Sequence, residues 1–210
     1  MFRKTFVASI ILLASSEALS ASSEVPYLGA RIGVDTGHWK VRDVSGARTN
    51  FSENGVFGGF FAGVGTDLTP QFYLAGEIFG DGSSANTSTK TINTGTVPAS
   101  VSMRLRYSYG GSIIPGYNIN PAALVYLRLG GIRSRFDFHQ TVVPSYATSN
   151  LSKKTVTGGQ LGIGLQGNFS NNWSVRGEYD YTSYRSFNSF GNIICARDNL
   201  INVGVLYNFC

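Results

Sequence analysis

The chain has 210 residues, of which 14% are charged and 13% aromatic, and its formal net charge is +5. This length suits a single domain, and no apolar run of about 18 residues is present to form a transmembrane helix. No basic run with interleaved aromatic residues occurs, so the composition gives no indication of nucleic-acid binding.

The N-terminus predicts a cleaved signal peptide over residues 1–20. Two basic residues, Arg3 and Lys4, precede an apolar run over 6–14 that is too short to span a bilayer as a helix. Small residues before Ala21 allow cleavage there, and Ser22 is a second candidate. A retained anchor helix is the alternative. The mature chain is therefore expected to work outside the cytoplasm.

Residues 21–210 contain eight strand-length segments in which apolar and polar residues alternate, which is the pattern of strands with two different faces. The gaps between these segments alternate between long and short. That alternation is typical of an all-β, antiparallel, up-and-down transmembrane barrel with short turns at one end and long loops at the other. The predicted strands lie near 27–37, 55–66, 71–80, 102–117, 123–138, 156–168, 172–184 and 199–209. The long gaps lie near 40–54, 81–101, 139–155 and 185–198.

The second predicted strand is apolar on both faces, so its faces remain unassigned. The fourth places Leu105, Tyr107 and Tyr109 on the face opposite Arg104 and Arg106. Simple alternation therefore puts both arginines on the polar face of the fourth strand.

The fifth predicted strand breaks the pattern, because Arg133 and Arg135 share the parity of apolar residues earlier in that strand. Either the strand has already left the bilayer there, or a bulge at Gly130-Gly131 exchanges its faces. The bulge would turn Phe136 and Phe138 outward into the aromatic girdle, and it is the favoured interpretation.

The polar face is expected to line the lumen. Glycines concentrate on that face, aromatic residues end the apolar face, and the loop asymmetry has no reason to exist in a soluble, lipocalin-like barrel. An arginine facing lipid at the midplane would also cost about 2–4 kcal/mol. The favoured interpretation is a plug of ion pairs, and the alternative is a charged constriction that selects solutes. The predicted lumen charge network comprises Arg31, Asp35, Glu77, Arg104, Arg106, Arg128, Arg176, Glu178 and Asp180.

The sequence contains only weak motifs for catalysis, cofactor binding or metal binding. Gly162-x-Gly164-x-x-Gly167 has the dinucleotide-binding spacing but lies within a strand, with no helix after it. The two histidines, His38 and His139, have no acidic partner fixed by spacing, and too few ligands are present for a metal site. We expect no enzyme activity, no metal and no cofactor.

Cys195 and Cys210 are expected to be free thiols. Cys195 falls in the last long gap and Cys210 follows the final strand at the opposite rim. A ten-residue strand covers roughly 33 Å, whereas disulfide-bonded cysteines need Cα atoms within about 7 Å.

The last strand, residues 200–209, resembles the terminal signal by which outer-membrane barrels are recognised for assembly, carried by Val203, Val205, Tyr207 and Phe209. Residues 117–131 and 158–181 are similar to the small outer-membrane barrel family that includes the OmpA membrane domain and the opacity-type proteins.

This resemblance implies a bacterial outer-membrane location, with extracellular loops and periplasmic termini. The expected role is structural and surface-interactive, through adhesion or host contact by four loops. A narrow small-solute porin is the alternative, and a lipid-modifying barrel enzyme is a remote one. The expected partners are outer-membrane lipid and lipopolysaccharide, the barrel-assembly machinery and a host surface ligand, with no nucleic acid.

Overall fold

The fold is given by a computed structural model, which describes residues 24–42, 48–84, 86–87, 90–93, 98–142, 149–189 and 192–209. The predicted signal peptide and Cys210 lie outside the described residues. No helical segment in the described part of the chain has the length and apolar composition that crossing a bilayer requires. The strands are β1 Val25–Arg42, β2 Arg48–Asp67, β3 Phe72–Ser83, β4 Asn86–Thr87, β5 Lys90–Asn93, β6 Pro98–Asn120, β7 Ala123–Val142, β8 Ser149–Asn168, β9 Trp173–Tyr184, β10 Phe187–Ser189 and β11 Asn192–Asn208.

Eight long strands close into a barrel. Each pairs antiparallel with its neighbours in chain order, and β1 pairs with both β2 and β11, so the sheet has no free edge there. The short strands β4, β5 and β10 add to the pairing beside β2, β6 and β11. The predicted eight-stranded up-and-down barrel is confirmed. Closure satisfies the backbone hydrogen-bonding groups that a bilayer core cannot.

The two ends of the barrel differ. Three short connections, 68–71, 121–122 and 169–172, close one end, which we call the turn end. The remaining connections lie at the other end, which we call the loop end. There the strands run further than predicted, because β1 and β2 stay paired as far as Arg42 opposite Arg48, and β7 and β8 as far as Thr141 opposite Ser149. Apolar alternation stops at the edge of the bilayer, but hairpin hydrogen bonding continues beyond it.

The outer wall carries an apolar belt between two sets of aromatic side chains. At the turn end, ring contacts join Phe72 to Tyr117, with centroids 5.7 Å apart, and Trp173 to Tyr207, with centroids 5.1 Å apart. At the loop-end edge of the belt, Tyr107 stacks on Tyr109. Large apolar side chains exposed between these sets form the lipid-facing surface expected of a membrane barrel. They include Leu28, Ile32, Ile78, Ile113, Leu127, Leu129, Leu161, Ile163, Leu165, Ile201 and Val203.

The structure assigns the faces of β2. Val56, Phe60 and Val64 face lipid, whereas Phe57 and Phe61 are buried in the lumen. The two faces look alike in sequence because phenylalanines also occur on the inward face, where Phe57 and Phe61 lie beside arginine side chains and Phe61 also contacts Tyr27.

The predicted bulge at Gly130-Gly131 is wrong. The pairing of β7 with β6 and β8 runs through both glycines without a register shift. Strand β7 instead continues straight out of the bilayer, with Arg133 exposed on the outer wall and Phe136 fully buried inside. The first of the two sequence interpretations, a strand that has left the membrane, is therefore the correct one.

Candidate functional site

A cluster of buried charged side chains crosses the middle of the barrel. Its three arginines come from β1, β7 and β9, and its four carboxylates come from β3 and β9. Each points inward because it alternates with lipid-facing residues of its strand. All seven are 9% exposed or less, so the pairs lie in a largely dehydrated interior. The cluster consists of Arg31, Arg128, Arg176, Glu77, Asp81, Glu178 and Asp180.

Arg128 is the centre of this cluster. Its Nη2 donates to Glu77 Oε1 and to Glu178 Oε1, each at 2.8 Å, and its Nη1 donates to Ser112 Oγ at 2.9 Å. Strands β3 and β9 lie on opposite sides of the barrel, four steps apart in the strand order. One guanidinium therefore ties opposite walls together, which a planar group with several fixed donors can do.

The other two arginines complete the crossing. Arg31 makes a two-point contact with Asp81, with distances of 2.6 and 2.9 Å. Arg176 Nη1 lies 2.9 Å from Glu77 Oε2 across the full width of the barrel. Its guanidinium also lies over the Phe61 ring, 3.6 Å from the centroid. Stacking of this kind stabilises a desolvated cation.

Two tyrosines donate hydrogen bonds to the carboxylates from the turn-end side of the cluster. Tyr27 Oη lies 3.1 Å from Glu77 Oε2, and Tyr126 Oη lies 2.6 Å from Glu178 Oε1. Burial of a carboxylate is tolerated where ion pairs and hydrogen bonds satisfy its oxygens. The tyrosines thus add to what the arginines provide.

An aromatic layer lies inside the barrel on the loop-end side of the cluster. The Phe136 ring packs edge-on against Trp39 at 4.8 Å and against Tyr184 at 5.5 Å between centroids. On the opposite side of the cluster, at the turn end, a cavity of about 650 Å³ is lined by polar residues including Gln166, Asn168 and Asn208. The lumen therefore consists of an open cup, a charged layer and an aromatic layer.

The structure places most of the predicted network inside the lumen. Arg31, Glu77, Arg128, Arg176, Glu178 and Asp180 form the cluster described above. Asp35 is also buried, on the loop-end side of the cluster. It lines a small cavity together with Asp81 of the cluster and Tyr184 of the aromatic layer.

The placement of Arg104 and Arg106 in the lumen is wrong. Both are exposed on the outer wall. A register shift between Leu105 and Tyr107 inserts an extra residue into β6, so Leu105 turns inward while Tyr107 stays outward. A bulge of this kind places two successive side chains on one face. Arg106 instead contacts Asp137 outside the barrel at 2.9 Å.

Sequence reasoning missed Asp81 and the aromatic layer. The predicted long gap over 81–101 includes Asp81, which in the structure continues the inward parity of Glu77 and Phe79 in β3. Trp39 likewise continues the parity of Arg31 and Asp35 in β1. Extending each alternation past the last apolar residue would have found both.

Groups that could support catalysis are sparse. Among the described residues, no group of three or more potential metal ligands is found. His38 Nδ1 lies 3.3 Å from Ser52 Oγ, but both side chains are exposed on the outer wall rather than in a pocket. The Cys195 thiol is free and exposed.

The predicted assembly signal lies on the lipid-facing side of β11. Val203, Val205 and Phe209 are exposed there, and Tyr207 packs between Trp173 and Phe209 with ring centroids 5.1 Å from each. Recognition of this strand during assembly stays a prediction.

Comparison with solved structures finds small outer-membrane barrels. Ail, the attachment invasion locus protein of Yersinia pestis, is 16% identical with a TM-score of 0.42, covering 87% of this chain and 98% of Ail. Neisserial surface protein A is also 16% identical, with a TM-score of 0.41 and coverages of 86% and 97%. The outer membrane protease OmpT of Escherichia coli is 11% identical, with a TM-score of 0.47 and coverages of 90% and 99%. These likenesses concern the fold.

A search of curated proteins finds no match. The family comparison, in contrast, matches residues 6–209 to the family described as the outer membrane protein beta-barrel domain. The match covers nearly the whole chain and agrees with the closed barrel, its lipid-facing belt and its aromatic girdles. The chain belongs to the outer membrane protein beta-barrel domain family, whose members are barrels of the bacterial outer membrane.

Proposed function

We propose that the protein is a structural and surface-contact barrel whose lumen is closed to solutes. The observation that carries this proposal is the charged cluster, in which Arg128 joins Glu77 to Glu178 and Arg176 reaches Glu77 across the barrel. Separating buried ion pairs leaves uncompensated charges and costs several kcal/mol. A solute path through the lumen would have to break several of these pairs at once.

Contacts with other molecules would then be made from outside the barrel. The long connections gather at one end and the short turns at the other, which is the arrangement of barrels whose loops face the cell exterior. We propose this orientation, with the loop end extracellular and the turn end periplasmic. The loops would mediate adhesion or host contact, because recognition residues are found disproportionately on loops held by a rigid scaffold.

A narrow porin is the alternative. The cup at the turn end, about 650 Å³ in volume, would supply half of an aqueous path. The aromatic layer of Trp39, Phe136 and Tyr184 closes the other half in addition to the charged cluster.

Single-channel recording on the refolded protein in planar bilayers tests closure. We expect no unitary steps from protein whose folding is verified by heat-modifiable gel mobility. Reproducible steps that change in Glu77→Ala, but not in the outer-wall variant Arg104→Ala, would establish the porin and overturn the proposal.

Two experiments on intact cells test the surface role. A membrane-impermeant maleimide should label Cys195, and Cys195→Ser should abolish that signal; labelling of Cys195 only after lysis would reverse the orientation. Shortening the connections 43–47 and 143–148 should reduce adhesion to host cells without changing heat-modifiable mobility. Unchanged adhesion in both shortened proteins would contradict a loop-mediated contact.

A further inference from the structure

A cationic patch lies on the outer wall of β6, β7 and β8, on the loop-end side of the apolar belt. Four of its five cationic side chains are exposed and the fifth, Arg135, is partly exposed. One carboxylate, Asp137, lies among them. The patch is defined by Arg104, Arg106, Arg133, Arg135 and Lys153.

Strand register fixes the height of this patch. Arg133 lies opposite Tyr109 of β6, which belongs to the loop-end aromatic set, and Arg135 lies opposite Tyr107. Asp137 lies between Arg104 on β6 and Lys153 on β8. Successive outward residues are about 6.6 Å apart along a strand. The cations therefore begin at the level of the aromatic girdle, where lipid headgroups lie, and extend about 13 Å beyond it.

The positive charge of the patch is largely uncompensated. Arg106 Nε lies 2.9 Å from Asp137 Oδ2, and this hydrogen bond lowers the pKa of the Asp137 carboxyl below its ordinary value, so the carboxylate stays ionised at neutral pH. In the described part of the chain, the other four cations make no salt bridge. A cationic surplus at the membrane surface attracts anionic lipid headgroups.

A row of glycines lies on the lipid-facing wall directly beside the patch. Gly111, Gly131 and Gly159 are paired neighbours across β6, β7 and β8, one outward position before the arginines begin. A Cβ at Gly131 or Gly159 would meet no atom within 4 Å, and one at Gly111 would lie 3.5 Å from its nearest neighbour. With strands about 4.8 Å apart, the row forms a shallow depression about 10 Å wide. Its far border is formed by Ile113, Leu129 and Leu161.

We propose that this wall binds the phosphorylated lipid portion of lipopolysaccharide. Phosphate lies against Arg133, Arg135 and Lys153, and an acyl chain occupies the glycine depression beneath them. The cations match the phosphorylated headgroup of such a lipid, and the open apolar depression beside them matches its acyl chains. The choice of lipopolysaccharide over another anionic lipid rests on the proposed orientation, which exposes the patch to the outer leaflet.

Lipid binding to the refolded protein in detergent micelles tests this assignment by native mass spectrometry. The probes are lipid A with its phosphates, the same lipid A after dephosphorylation, and phosphatidylglycerol. Arg133→Gln/Arg135→Gln removes two cations and should weaken binding of phosphorylated lipid A by about tenfold or more. The matched control, Lys40→Gln/Arg197→Gln, removes two exposed cations from β1 and β11 and should change it by less than about twofold.

A second variant tests the acyl contact. A Cβ at Gly131 would meet no atom within 4 Å, so Gly131→Leu should place its side chain in the depression and weaken binding about threefold. Gly177→Leu, at an equally open position on β9, should not weaken binding. Equal binding of dephosphorylated lipid A, equal binding of phosphatidylglycerol, or equal loss in the control variants would each overturn the proposal. These measurements use purified protein and do not depend on orientation, so failure of Cys195 labelling on cells and failure of lipid binding are separate outcomes.

Discussion

The arginines inside the barrel and those on its outer wall are under opposite constraints. Inside, Arg31, Arg128 and Arg176 are nearly inaccessible, and each lies within ion-pairing distance of more than one group or stacks on an aromatic ring. Outside, Arg106 has one carboxylate partner and its side chain is 55% exposed. A buried cation must be neutralised within the protein, whereas a wall cation can be neutralised by water or by lipid.

This contrast bears on function. The inner arginines hold opposite walls together, and their charges are neutralised by carboxylates of the barrel itself. The cationic patch contributes little to holding the barrel together, since four of its five cations make no salt bridge in the described part of the chain and Arg106, in its one ion pair, is 55% exposed. Charge that does not stabilise the fold is available for a ligand.

Removing the central inner cation should produce the largest effect. Arg128→Ala leaves Glu77 and Glu178 with fewer partners in the dehydrated lumen, and we expect a loss of about 3–5 kcal/mol in the free energy of unfolding. Urea titration in micelles, followed by tryptophan fluorescence, measures it. The matched wall variant Arg197→Ala should lose less than about 1 kcal/mol. Similar losses in both would show that burial of the cluster does not govern stability.

Two adjacent glycines, Gly130 facing the lumen and Gly131 facing outward, allow the inner and outer walls to be compared without a change of charge. At Gly130 an added Cβ would lie 2.8 Å from the Gly111 carbonyl oxygen and 2.9 Å from Ser112 Cβ, whereas at Gly131 it would meet nothing within 4 Å. We expect Gly130→Ala to destabilise the barrel by about 1–3 kcal/mol and Gly131→Ala to change stability by less than about 0.5 kcal/mol. Urea unfolding of the two variants side by side measures the difference. Equal effects would mean that the wall relaxes around the inward methyl group.

Sequence alone could predict the barrel because membrane and lumen impose opposite polarity on alternate residues. Period-two alternation in β1, β8 and β9 needs no tertiary information. It also placed Arg128 and Glu178 on the inner face. Which carboxylate each arginine would reach was not predictable, since Glu77 and Glu178 lie on opposite walls and their distance depends on barrel diameter.

The errors arise where the bilayer stops acting on the sequence. Beyond the aromatic girdle the outer face no longer meets lipid tails, so Arg133 and Arg135 lie outward while apolar Phe136 lies inward. This order of polarity is the reverse of the order within the bilayer. The sequence pattern therefore predicts a bulge at Gly130-Gly131, where the pairing is regular, and gives no sign of the register shift between Leu105 and Tyr107. The polarity pattern of the sequence does not reveal a bulge in β6 when the residues around the bulge face headgroups.

The smallest expected effect belongs to the Arg106–Asp137 pair on the wall. Asp137 has its pKa lowered by Arg106, so the folded state binds its proton less readily than the unfolded state does. The stabilisation is therefore present above the ordinary carboxyl pKa, near 4, and is lost as pH falls through the lower folded value. Arg106→Gln should cost about 0.5 kcal/mol at neutral pH and low salt.

Two controls isolate that pair. High salt should reduce the difference between Arg106→Gln and the unmodified protein, because Arg106 is largely exposed and its charge is screened. Lowering the pH past the folded pKa of Asp137, which lies below the ordinary carboxyl value, should abolish the difference. Arg104→Gln removes a neighbouring wall cation with no salt bridge in the described residues, so its effect should stay near zero over the same pH range. Thermal unfolding in micelles at matched pH values measures all three proteins. A difference for Arg106→Gln that persists once Asp137 is protonated in the folded protein would assign its effect to packing of the side chain rather than to charge.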